Sequence, residues 1–187
     1  MGVAAEKLRM SAQDFLAWDA TQTVRHEFIA GEVFAMAGAG EAHVTVAGNL
    51  YVALRQHLAG TPWRTFITDM KLHVEAADAF FYPDVMVSCS AADPMVKRDP
   101  VLLVEVLSPA TAAYDRGDKF AVYRRLSGLR EYLLVDTDSR RCDLYRKGTD
   151  GLWVLHPFEP GQALRLESVA LDLPATQLWA EVPAAQA

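Results

Sequence analysis

At 187 residues and 51% hydrophobic content, the chain can bury one core of ordinary size, and nothing in its composition calls for a second domain. Two cysteines, Cys89 and Cys142, exclude a disulfide framework and lack the paired spacing of a zinc site, and no apolar run approaches the roughly 20 residues of a membrane span. A formal charge of -6 is the wrong sign for simple adhesion to a polyanion, where Lys and Arg neutralise phosphate. One soluble, cytoplasmic domain is expected over residues 1–182, with a disordered tail at 183–187, no signal peptide in Met1–Met10 and no membrane partner.

Ser11 is placed to cap a short helix, with Asp14 three residues on as an approximate capping box and Phe15, Leu16 and Trp18 as apolar contacts. Residues 25–37 read as a hairpin: His26-Glu27-Phe28-Ile29, a turn at Ala30-Gly31, then Glu32-Val33-Phe34-Ala35-Met36. A helix is predicted over residues 41–59 with Gly60 as its stop, and Ala47, Leu50, Leu54 and Leu58 make its core-facing stripe. His43 extends that stripe at the helix start, where it is either a packing residue or a partner for phosphate or a metal-bound water. Strands follow at 63–66 and 71–75, then a loop over 76–79, a short strand after Asp84, and a polar connection over 90–99.

The chemistry concentrates between Tyr82 and Lys119. Val101-Leu102-Leu103-Val104-Glu105-Val106-Leu107 reads as a strand buried on both faces, and Glu105 lies inside it. A carboxylate stripped of water there needs a cation or a set of donors in exchange, or else a proton. Asp84 opens another apolar strand, Val85-Met86-Val87, directly after a proline that does not belong in a ladder interior. Taken singly, Asp84 is a turn residue and Lys119 a solvated helix side chain or the i,i+4 partner of Asp115. Taken together, two acids on neighbouring strands suit a hard divalent cation, and the lysine suits charge developing on a phosphate. The lysine's helix is predicted from about Asp115 to before Gly128, and Val122, Tyr123 and Leu126 place Lys119 on its core-facing side.

Pro83-Asp84, then Glu105-Val106-Leu107-Ser108-Pro109-Ala110-Thr111, then Asp115-Arg116-Gly117-Asp118-Lys119 with Tyr123, and Glu131-Tyr132-Leu133-Leu134-Val135-Asp136 resemble the Uma-type restriction endonucleases of the PD-(D/E)XK nuclease superfamily. The resemblance extends upstream to His43 and to His26 through Val33, so it spans most of the chain. It implies an α/β restriction-endonuclease-like three-layer domain, a central mixed β-sheet flanked by helices. It also implies a magnesium- or manganese-dependent endonuclease with DNA as substrate, Asp84 and Glu105 as metal ligands, Lys119 as the catalytic lysine, and Glu32 and His43 assisting from the rim. Glu32 is otherwise an exposed strand charge near a turn. Two departures stand out: Leu107 occupies the place where the superfamily carries a lysine on the same strand, so Lys119 is expected to supply it from the helix, and Leu133 replaces a usual tryptophan. Lys119→Met is expected to stop cleavage with the fold nearly intact.

Downstream, residues 131–135 and 141–146 read as a hairpin, 152–173 as short strands, and 175–180 as a helical turn. Residues 97–147 hold eleven of the eighteen Lys and Arg against eight acids, so the remainder of the chain carries -9. These cations either line a face beside the site or solvate helices and a hairpin. The acidic total motivates a competing reading, a non-catalytic homodimeric module that keeps the nuclease fold, and a third reading is that the metal site acts on RNA or a small phosphodiester.

Overall fold

The structure, a computed structural model, describes residues 9–36, 38–89 and 93–183; most of the expected N-terminal and tail segments, residues 1–8 and 184–187, lie outside them. Helix α1 (Ala12–Asp19) begins where Ser11 accepts the Asp14 backbone N–H, as its capping pattern requires. The hairpin of β1 (His26–Ile29) and β2 (Glu32–Ala35) turns through Ala30 and Gly31, both at positive φ, the geometry a two-residue turn needs to match strand twist. Helix α2 (Glu41–His57) follows, then β3 (Arg64–Ile67), β4 (Lys71–Val74), β5 (Ala79–Phe81), β6 (Val85–Ser88), β7 (Val96–Lys97) and β8 (Pro100–Leu107). Helix α3 covers residues 112–123, β9 (Glu131–Asp136), β10 (Arg141–Lys147) and β11 (Trp153–Phe158) make a meander, and β12 (Leu164–Leu166), β13 (Leu171–Leu173) and α4 (Ala175–Leu178) close the chain.

The strands form two large sheets. The central one is six-stranded and mixed, in the order β11-β10-β9-β8-β6-β3, with β8 and β9 parallel. Every residue of β8 is buried, which is what its unbroken apolar run requires. Leu102, Val104 and Val106 face a core built with Leu50 and Leu54 of α2 and closed by Leu164, Leu173 and Leu178 of the C-terminal segment. Leu103 and Leu107 face a second core with Tyr123, Leu126 and the β4 and β5 side chains Leu72 and Phe81. Strand parity puts Glu105 on that second side, between the central sheet, α3 and the other sheet.

That other sheet is five-stranded, β2-β1-β5-β4-β7, and its far face packs Phe28 and Phe80 against Phe15 of α1. Two of its strands are not expected from the sequence: β5 starts at the last residue of the predicted 76–79 loop and continues through residues assigned to no element, and β7 falls inside the predicted polar connection. They are three and two residues long, too short to show alternation; β5 is held between neighbouring β4 and remote β1, and β7 pairs with β4 some way upstream. The result is a layered α/β domain with mixed sheets flanked by helices. Among the described residues no helix is long and apolar enough to cross a membrane.

Helix α2 gives a direct check on this packing. Leu50 is fully buried and Val52 is 47% exposed two positions on. Leu50→Ala is expected to cost about 2–5 kcal/mol in urea unfolding, whereas Val52→Ala should stay within about 0.5 kcal/mol of the parent.

Candidate active site

Glu105 is 4% exposed and is compensated from α3. Its Oε1 lies 3.0 Å from the Lys119 ammonium and accepts the Tyr123 hydroxyl at 2.7 Å. Burial pushes its carboxyl up to about 8; Lys119 pulls the other way, and the neighbouring Asp84, Asp115 and Glu27 add to the rise. One ammonium is thus shared among several acids. Lys119 Nζ also lies 2.9 Å from Glu27 Oε1 and 3.6 Å from Asp115 Oδ1. Burial alone would lower the Lys119 pKa, but Glu105, Glu27 and Asp115 outweigh it and hold the group well above its ordinary value.

The helix geometry delivers this lysine. Between Asp115 and Lys119, α3 is wound as a π-helix, with wider turns than the α-helical segments on either side. Asp115 and Lys119 are both buried, while Arg116, Gly117 and Asp118 between them are exposed. Leu107, two residues after Glu105, packs into the second core, and the ammonium reaches Glu105 from the helix instead. Tyr132 fixes the same turn by donating to the Asp115 carbonyl at 3.0 Å. Leu133, in the place of the tryptophan, is fully buried in the first core.

Asp84 is held from three sides. Antiparallel pairing of Val85 with Val104 sets it directly across from Glu105, and its Oδ2 accepts the Val106 N–H at 2.7 Å. Its Oδ1 meets His43 Nε2, at the start of α2, at 3.0 Å, and its carbonyl accepts the Thr68 N–H at 3.1 Å. All four acids, Lys119 and His43 line one cavity of about 560 Å³, whose wall is completed by the Ser108-Pro109 turn, Tyr114, Tyr82 and the apolar residues Met36, Val44 and Ile67. The Tyr114 hydroxyl and His43 Nδ1 are buried there without a hydrogen-bond partner.

The structure therefore brings together Asp84, Glu105, Lys119 and His43, and leaves Glu32 apart. Glu32 sits at the turn end of the hairpin on the outer strand β2, where it pairs with Arg9 at 3.1 Å. The opposite end, with Ala35 and Met36, borders the cavity. The acid that reaches Lys119 is Glu27, on the inner strand of that hairpin and buried, which sequence reasoning passed over. Its only signal was an acid in a short strand, indistinguishable from Glu32 before the sheet order is known. The basic residues do not gather at the site. The β8–β9 register and the Arg130-to-Val101 and Lys147-to-Arg130 backbone bonds put Arg130, Arg146 and Lys147 at the end of the sheet away from Glu105. Arg116, Arg140 and Arg141 lie toward the site end, where Arg116 pairs with Asp143, Arg141 with Glu159, and Arg140 with the Val182 carbonyl.

Among solved structures, a putative nuclease from Anabaena variabilis shares this fold, with a TM-score of 0.75 over 91% of this chain and 98% of its own, at 17% identity. Two uncharacterized proteins of Synechocystis sp. are similar in sequence. One is 34% identical over 167 residues, covering 88% of each chain; the other is 35% identical over 162 residues, covering 83% of this chain and 90% of the relative. The Uma2 model, described as a putative restriction endonuclease, matches residues 12–176, from the first residue of α1 into α4 and across every residue of the cavity named above. This chain belongs to the Uma2 family of putative restriction endonucleases.

Proposed function

We propose that the chain is a divalent-cation-dependent nuclease that hydrolyses DNA phosphodiester bonds in this cavity. The observation that carries the reading is the buried ammonium of Lys119 set between Glu27 and Glu105, with Asp84 on the adjoining strand. Three carboxylates meet one lysine and Asp84 adds a fourth from the adjoining strand; burial first, and then this excess of negative charge, keep the Glu105 pKa high. Such a site favours an added cation. Among the described residues no three His, Cys, Asp or Glu side chains form a ready-made metal cage. That donor set fits magnesium or manganese, which bind through one or two carboxylates and otherwise keep water or take substrate phosphate. Asp84 and Glu105 would hold the ion, which supplies Lewis acidity and a water of lowered pKa.

The chain's own groups then divide the work. Lys119 stays protonated at neutral pH, so it acts as a donor and a positive charge toward the phosphate and the attacking water, and it does not serve as a base. Glu27 accepts from Lys119 and holds its direction. Tyr123 keeps its proton, because burial and the charge of Glu105 raise its pKa well above the ordinary value, and it steadies Glu105 through its hydroxyl. His43 braces Asp84 from the cavity rim. The family supports a nucleic-acid substrate, and plasmid, single-stranded DNA and RNA assayed side by side would separate DNA from the other phosphodiesters.

The burial of Lys119 revises one expectation. Lys119→Met would take away the ammonium that Glu27, Glu105 and Asp115 share and cost about 3–5 kcal/mol, so it is a poor test of chemistry alone. Lys119→Arg keeps the charge and alters the donor geometry. It is expected to lower plasmid cleavage in magnesium or manganese by about 100-fold or more while far-ultraviolet circular dichroism stays unchanged. Parental cleavage by the folded variant would remove Lys119 from the mechanism.

Glu105 also sets a pH dependence. Its carboxyl releases its proton near the ordinary carboxylate value when unfolded and at about 8 when folded. Between those values the folded state holds a proton that the unfolded state has lost, so this contribution to stability is full at low pH and disappears as pH rises toward 8. Without metal, Glu105→Gln is expected to flatten the fall in urea-unfolding stability between pH 5 and pH 8, a slope of at most about 1.4 kcal/mol per pH unit. An unchanged slope would show that Glu105 is ionised throughout.

A further inference from the structure

A second buried charge network lies beside the acidic centre, and the chemistry above does not use it. Asp19, the last residue of α1, is 1% exposed. Its Oδ2 accepts the Tyr82 hydroxyl at 2.5 Å and lies 3.0 Å from the Lys71 ammonium. Its Oδ1 accepts the His26 backbone N–H at 3.3 Å and lies 3.5 Å from Nδ1 of that ring. Lys71 in turn sits over the rings of Phe15 and Tyr82, at 5.3 and 5.5 Å from their centres. Burial would raise the Asp19 carboxyl, but the Tyr82 hydroxyl and the Lys71 ammonium outweigh it and hold it below the usual range. Burial, together with the Asp19 charge, pushes the Tyr82 hydroxyl up, so it remains a donor.

These bonds join the segments that carry the site. Tyr82 stands two residues before Asp84 and lines the cavity. His26 immediately precedes Glu27. Lys71 opens β4, three residues after Thr68, whose N–H holds the Asp84 carbonyl. Asp19 itself does not line the cavity.

We propose that Asp19 is a positioning residue of the acidic centre: one carboxylate outside the cavity fixes both the backbone that presents Asp84 and the backbone that presents Glu27. A burial-only role for Asp19 would use the same ion pair with Lys71, yet would leave the surroundings of Asp84 indifferent to the Tyr82 hydroxyl. The consequence for metal affinity rests on the reading of Asp84 and Glu105 as cation ligands. The positioning itself does not.

Tyr82→Phe removes one hydroxyl and keeps the buried Asp19–Lys71 pair, and Asp19→Asn removes the charge. Because Asp84 holds His43 Nε2, the imidazole nitrogen-15 shifts of His43 in metal-free protein report where Asp84 sits. In both variants these signals are expected to move with circular dichroism unchanged, and manganese affinity by titration calorimetry is expected to fall tenfold or more. Unmoved His43 signals in folded Tyr82→Phe overturn the proposal, and so does parental manganese affinity in that variant. A parent protein that neither binds manganese nor cuts DNA overturns the nuclease reading instead, and the His43 signals still decide this one. If Asp19→Asn fails to fold, Tyr82→Phe carries the test alone.

Discussion

One ammonium among several buried carboxylates is the constraint on which the rest of this structure depends. Lys119 meets Glu27, Glu105 and Asp115 within 3.6 Å, and Asp84 adds its charge from the next strand. Removing the cation would leave uncompensated charge in an apolar layer, and removing one acid would relieve crowding. The arrangement is therefore under tension in the absence of further positive charge. A protein selected for stability alone gains little from it, whereas a site that must attract a cation and a phosphate gains a preorganised field.

The layers of the fold exist around this cluster in a physical sense. Glu105 lies between two sheets because β8 is apolar on both sides and is covered by α2 on one and by α3 with the second sheet on the other. Each acid comes from a different part of the fold: Glu27 from β1, Asp84 from the residue before β6, Glu105 from β8 and Asp115 from the π-wound turn of α3. None of them is adjacent in sequence to another. Their convergence thus requires the parallel β8–β9 pair, the antiparallel β6–β8 register and the docking of the hairpin onto β5 to form together. The overall acidity is less of an obstacle to nucleic acid than the -6 suggests, since the excess acids include those turned inward at the site.

Much of this was legible beforehand where a residue violated its local pattern. Glu105 in an apolar run and Lys119 on the apolar side of a helix could be singled out, because burying a charge is costly enough to demand a reason. The long elements were equally readable: α2 runs from Glu41 to His57 against an expected 41–59, and β8 includes the whole of the predicted apolar run. Short strands were not, since Ala79–Phe81 offers no period and owes its conformation to β1 and β4. The choice between Glu27 and Glu32 depended on which strand of a hairpin faces inward, and this is decided by the sheet order. The π-winding of α3 likewise coincides with the bond from Tyr132 to the Asp115 carbonyl, and no propensity encodes it. The clustering of arginines along residues 97–147 left two readings open, and the sheet register separates them: neighbours in sequence lie at opposite ends of β9 and β10.

The claim that these acids bind a divalent cation is tested most directly by isothermal titration of the purified protein with magnesium and manganese beside an Asp84→Asn, Glu105→Gln double variant, with a phosphodiester duplex present in a second series. Saturable heat in the parent that vanishes in the folded double variant is the result this account requires. Equal heats from the two proteins in both series would place any bound metal elsewhere and contradict it.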